Sequence, residues 1–92
     1  MKLSKEQYKE LEQFAGVFFS IQEIATVMEL DGEALKHAYE DPSSDIHQTI
    51  QRGRLKQEAE LRKIIFNLAK GGSSPAQNLA LKIIQEAKID AF

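Results

Sequence analysis

Five stretches of this chain carry apolar residues at three- and four-residue steps, the period of a helix, and none reads as a strand. The first opens at Ser4 with Gln7 three residues later, the spacing of a capping box, and Leu3 and Tyr8 flank it as a hydrophobic staple. Tyr8, Leu11, Ala15 and Phe18 then line one face. A second capping box, Ser20 with Glu23, opens the next helix, whose inner stripe is Ile21, Ile24, Ala25 and Met28. Asp31 is placed to cap a third helix over Gly32 to Glu40, with Leu35, Ala38 and Tyr39 facing inward. "EDPSSD" breaks the chain there, because Pro42 cannot continue a helix.

The fourth stretch is long, about Asp45 to Lys70, and Gly71-Gly72 ends it. At 1.5 Å per residue it spans roughly 40 Å. A fifth helix starts after Ser74, with Pro75 at its first position, where a missing N–H costs nothing. Ala76, Leu79, Ala80, Ile83, Ile84 and Ala87 give it one strong apolar face. "GGSSP" is short, so the last two helices fold back as an antiparallel hairpin. The expected fold is all-α with about five helices: an N-terminal three-helix helix-turn-helix unit over residues 1–42, then a long antiparallel helical hairpin over residues 43–92.

A helical wheel of the long helix shows more apolar surface than one partner needs. Ile46, Ile50, Leu61, Ile64, Ile65 and Leu68 fall on one side, and Leu55, Ala59 and Phe66 form a second strip. The first face is expected to pack on the fifth helix. The second is expected to meet another copy of the chain, which makes Leu55, Ala59 and Phe66 the candidate oligomer interface. Arg52, Lys56, Lys63 and Lys70 line up nearly opposite the first face.

Residues 20–39, "SIQEIATVMELDGEALKHAY", are spaced as a helix-turn-helix. Ala25 lets the two helices approach, Met28 and Leu30 fill the turn, and Leu35 plugs the second helix into the core. Glu29 stands where such turns usually place glycine, so a positive φ is expected on a residue that disfavours it. The would-be recognition helix exposes Glu33, Lys36, His37 and Glu40. Phosphate affinity comes from lysine and arginine, and acids oppose it, so only Lys36 and His37 of this helix suit DNA. Arg52, Arg54 and Lys56, at the start of the long helix, are the other candidate phosphate contacts.

Charge sharpens this division. Residues 1–45 hold four lysines against ten acidic residues, a balance of −6, and residues 46–92 hold eight basic residues against four acidic ones, +4, which together give the net −2. An acidic front and a basic back point to surfaces with different partners. Cysteine is absent, which removes disulfides and thiolate metal sites and suits a reducing compartment. The polar opening "MKLSKEQYKE" does not resemble a signal peptide, and no apolar run approaches a membrane span. His37 and His47 are the only histidines, too few for a metal site, so no metal and no other cofactor is expected. "KGGSSP" lacks the spacing of a phosphate loop, and no nucleophile–base pair is visible. An enzyme is therefore not expected, nor is a small-molecule substrate.

From the "EIA" at Glu23–Ala25 through "GRLKQEAELRKIIFNLAKGGSSPAQNLALKII", residues 20–88, the chain resembles the small terminase subunit of tailed bacteriophages. That family shows a glycine-arginine followed by a long helix, a short glycine-containing turn and a further helix; Gly53-Arg54, Gly71-Gly72 and Pro75-Ala76 stand at those places. The resemblance implies a ring-forming DNA-packaging component that binds double-stranded viral DNA through its helix-turn-helix. It also implies regulation of a large terminase subunit carrying ATPase and nuclease activities. The hairpin is then the homo-oligomerisation element, and the setting is the cytoplasm of a bacterial host, with a phage or prophage origin. Two other readings stay open: a protein-interaction or assembly module whose acidic front docks a basic partner, and a small transcriptional regulator.

Overall fold

The computed structural model describes Met1–Asp90, with Asp90 as backbone only. Five helices follow in order: α1 (Lys5–Gly16), α2 (Ile21–Val27), α3 (Gly32–Glu40), α4 (Asp45–Lys70) and α5 (Ser74–Asp90). There is no strand among the described residues, and the protein is all-α.

The helix starts are local chemistry. Ser4 Oγ accepts from Gln7 N at 3.1 Å while Ser4 N donates to Gln7 Oε1 at 2.8 Å, and Ser20 and Glu23 repeat the same reciprocal pair at the same distances. Asp31 Oδ1 accepts from Glu33 N and Ala34 N. At α5 the cap is Ser73, whose Oγ accepts from Ala76 N at 3.3 Å, so the helix begins one residue earlier than its proline suggested.

Three helix ends share one device. In each, a residue in the left-handed region follows the cap, and the next N–H reaches back five residues. Phe19 N donates to Phe14 O, Leu30 N to Ala25 O, and Ser73 N to Leu68 O. The left-handed residues are Phe18 (φ 62°), Glu29 (φ 56°) and Gly72 (φ 102°). Only the last is the residue type that this conformation favours. Phe18, expected on the buried face of the first helix, therefore lies beyond α1 and is exposed. Phe14 and Phe19 stack instead, at 5.4 Å, across the motif. Glu29→Gly should relieve the strain and raise stability by about 0.5–1 kcal/mol in urea denaturation.

Backbone contacts divide the chain after Gln57, into Met1–Gln57 and a second unit beginning at Glu58. The sequence placed this boundary at residue 42. The reason for the shift is that α4's first two turns belong to the N-terminal core. Ile46 and Ile50 are buried with Leu11, Ala15, Ile24, Ala25 and Leu35. Leu3, Tyr8, Phe14, Phe19, Ile21, Met28, Leu30, Ala38 and Tyr39 pack around them. The helices approach closely at Gly53: a Cβ there would lie 2.4 Å from Glu12 O and 3.1 Å from the Ala15 Cβ. The backbones of α1 and α4 thus touch where no side chain fits between them.

In the second unit, the end of α4 and α5 form the antiparallel hairpin. Gln77 Nε2 donates to Ala69 O across its turn. Among the described residues its buried side chains are small, Ala76 and Ala80. Ile65, Phe66, Ala69 and Ile83 are half-buried. Leu61, Ile64, Leu68 and Leu79 keep 49 %, 53 %, 54 % and 48 % of their surface exposed. The expectation that α5 would cover the Leu61–Leu68 side of α4 is therefore met only at Ile65. No helix among the described residues is long and apolar enough to cross a membrane.

Candidate nucleic-acid interface

The helix-turn-helix is fixed by its turn. Met28 caps α2, Glu29 takes the left-handed position, and Leu30 returns to bond Ala25 O at 2.8 Å. Ile24, Ala25 and Leu35 seat α2 and α3 in the core. This leaves Glu33, Lys36, His37 and Glu40 of α3 exposed, as their spacing requires. His37 faces a groove of about 480 Å³ whose rim also carries Asp41 and Asp45. Hydrogen bonds from the Ser43 hydroxyl and then its backbone N–H, with His47 nearby, hold the Asp41 carboxyl below its ordinary range. The surroundings of α3 are thus acidic on either side of its two cationic candidates.

The candidates on α4 separate into two groups, because residues four apart share a helix face and residues two apart do not. Arg52 and Lys56 both reach Glu12 of α1: Arg52 Nε bonds Oε1, and Lys56 Nζ lies 3.7 Å from Oε2. The Arg52 hydrogen bond, more than the charge of Lys56, lowers the Glu12 pKa. The stabilisation this gives is present at neutral pH and is lost as the pH falls through the lowered value. With side chains 53 % and 66 % exposed, both cations remain open to solvent, and two positive charges share one negative one. The pair is worth at most about 1 kcal/mol, so a phosphate can compete for it.

Arg54 turns the other way. Its Nη1 donates to Tyr39 Oη at 3.1 Å, its Nη2 to Phe19 O at 3.4 Å, and its guanidinium carbon stands 5.6 Å from the Tyr39 ring centre. Nε is enclosed and bonds nothing among the described residues. Arg54 is therefore half-buried against Tyr39 and Phe19 of the N-terminal unit and does not share the Glu12 face with Arg52 and Lys56.

Of the three residues assigned to the oligomer interface, Leu55 is 60 % exposed, Ala59 is exposed and Phe66 is half-buried. The hairpin opens a wider apolar surface that the sequence had assigned to internal packing. A groove of about 400 Å³ between its helices is lined by Leu61, Ile65, Leu79 and Ile83, with Glu58, Arg62, Lys82 and Glu86 on its rim. Glu58 pairs with Arg62 and Glu60 with Lys63 along α4. Among the described residues, no group of three or more histidine and carboxylate side chains could hold a metal ion.

Comparison with protein-family models, with curated proteins and with solved structures finds no match.

Proposed function

We propose that this chain is a non-enzymatic, homo-oligomeric DNA-binding component of the small-terminase type, which recognises double-stranded DNA for packaging. On this reading it acts in the cytoplasm of a bacterial host, from a phage or prophage, and passes DNA to a large terminase subunit. The observation that carries the proposal is the pairing of two unlike units on one helix. The first has a closed core and an exposed helix-turn-helix. The second leaves Leu61, Ile64, Leu68 and Leu79 about half exposed. Apolar surface of that extent marks an association face. The carboxylates of Glu58 and Glu86 and the cations of Arg62 and Lys82 on the same groove offer a second copy both signs of charge.

Oligomerisation also answers the weakness of the DNA surface. Of the candidate contacts, one copy offers Lys36, His37, Arg52 and Lys56, beside several acids. Linked copies convert each further contact into an intramolecular one, so weak phosphate contacts multiply. A titration on duplex DNA at a series of salt concentrations tests this: affinity should fall as salt rises. Arg52→Glu combined with Lys56→Glu should weaken binding more than Lys36→Ala does, and equal or reversed effects would defeat that assignment. Glu12→Gln should strengthen binding two- to fivefold, since it frees both cations for phosphate.

The acids of α3, Glu33 and Glu40, support a second reading, in which this face docks a basic protein segment. Failure to bind duplex DNA at low salt would favour it.

A further inference from the structure

His47 and Arg54 stand seven residues apart on α4, which places them two turns and about 10.5 Å apart along one side of the helix. The Tyr39 ring fills that interval. His47 stacks on it with ring centres 5.1 Å apart, and the Arg54 guanidinium carbon lies 5.6 Å from its centre. The backbone of α3 is gripped at the same place. His47 Nδ1 lies 2.6 Å from Tyr39 O and bonds it, and the Ser44 hydroxyl donates to Ala38 O and accepts from His47 N. These are carbonyls of the last turn of α3; Ala38 O also accepts from the N–H of the capping Asp41, at 3.3 Å. Phe19 O, the other acceptor of Arg54, belongs to the α1–α2 connection.

From this arrangement we infer that Arg54 is a positioning residue for α3. Together with His47 it brackets Tyr39 and sets the angle at which the exposed face of the helix-turn-helix is presented. It acts on DNA through α3 and does not contact phosphate itself. The inference rests on the DNA-binding reading above for its effect on affinity, but the bracket is observable without DNA. Arginine suits the role because its planar, delocalised cation covers an aromatic ring and sends separate N–H groups to two acceptors. Lysine keeps the charge and cannot do both.

The test compares the full chain with Arg54→Lys, Arg54→Gln and Tyr39→Phe. It uses duplex-DNA titrations over a range of salt and amide spectra of α3, at a temperature where melting curves show every variant folded. Arg54→Lys and Tyr39→Phe should each weaken binding about three- to tenfold, with an unchanged slope of log affinity against log salt. Their amide shifts should spread through Gly32–Glu40. The inference is overturned if Arg54→Lys binds as the unmodified chain does while Arg54→Gln lowers the salt slope by roughly one, the signature of a direct phosphate contact. If the unmodified chain binds no duplex DNA at low salt, the DNA-binding reading falls by itself. The amide shifts then decide: shifts confined to positions 39 and 54 overturn the positioning role, and shifts along all of α3 sustain it.

Discussion

Gly53→Ala is expected to destabilise the N-terminal unit by about 2–4 kcal/mol, although helix propensity alone favours alanine by roughly 1 kcal/mol. The sign is set by what the new methyl group meets. It would lie 2.4 Å from the Glu12 carbonyl oxygen, and neither that backbone atom nor the Ala15 Cβ at 3.1 Å can move without shifting α1. Separating α1 from α4 also pulls Ile46 and Ile50 from the core they share with Leu11 and Ala15. Gly32→Ala is the control. Its Cβ would meet only the flexible end of Gln22, at 3.1 Å, in the first turn of α3, and its stability change should stay within about 1 kcal/mol of zero. Urea denaturation of the two variants separates a packing role for Gly53 from a general effect of glycine in helices.

The second large effect is expected in the hairpin. Ile64→Lys with Leu68→Lys should dissociate the assembly while leaving the N-terminal unit folded. Within one copy both side chains are already about half exposed, at 53 % and 54 %, so the substitutions cost an isolated chain little. In an assembly they would place two charges against apolar partners and forfeit the burial of two large side chains. Burial alone accounts for roughly 1.5–3 kcal/mol, about ten- to a hundredfold in Kd, and the charges add to it. Leu55→Lys probes the strip that the sequence alone selected. If the hairpin face carries the association, Leu55→Lys should weaken it less than the double variant does. Sedimentation of the three proteins at equal concentration gives the order.

Which features were legible in the sequence follows from how local their causes are. The caps at Ser4, Ser20 and Asp31 join residues two or three apart, so their pattern is visible in the string itself. The left-handed position at Glu29 was visible because the helix-turn-helix spacing requires it. Phe18 was not, since nothing in phenylalanine favours that conformation. The available signal was the pair Phe14 and Phe19, spaced to close the end of α1.

Backbone contacts divide the chain after Gln57 rather than at residue 42, because periodicity shows that a helix has an apolar face and says nothing of which segment covers it. Gly53 was the missed clue: a glycine deep in a helix calls for a packing reason, and here it is contact with α1. The candidate interface was partly legible. Lys36, His37, Arg52 and Lys56 are exposed where their helical positions put them. The partners of the α4 cations come from distant segments: Glu12 is 40 residues from Arg52, and Phe19 is 35 from Arg54. No local pattern reports them. Likewise, the alanines at 76 and 80 decide which side of α4 the last helix covers, and this leaves Leu61, Ile64 and Leu68 open.

The central claim is that the hairpin's open apolar face joins copies of the chain. Its most direct test is the solution mass of the full chain, by light scattering over a wide concentration range. A defined multiple of the 10.4 kDa chain is expected, reduced to a single chain by Ile64→Lys with Leu68→Lys. A mass of one chain at the highest concentration reached would contradict it.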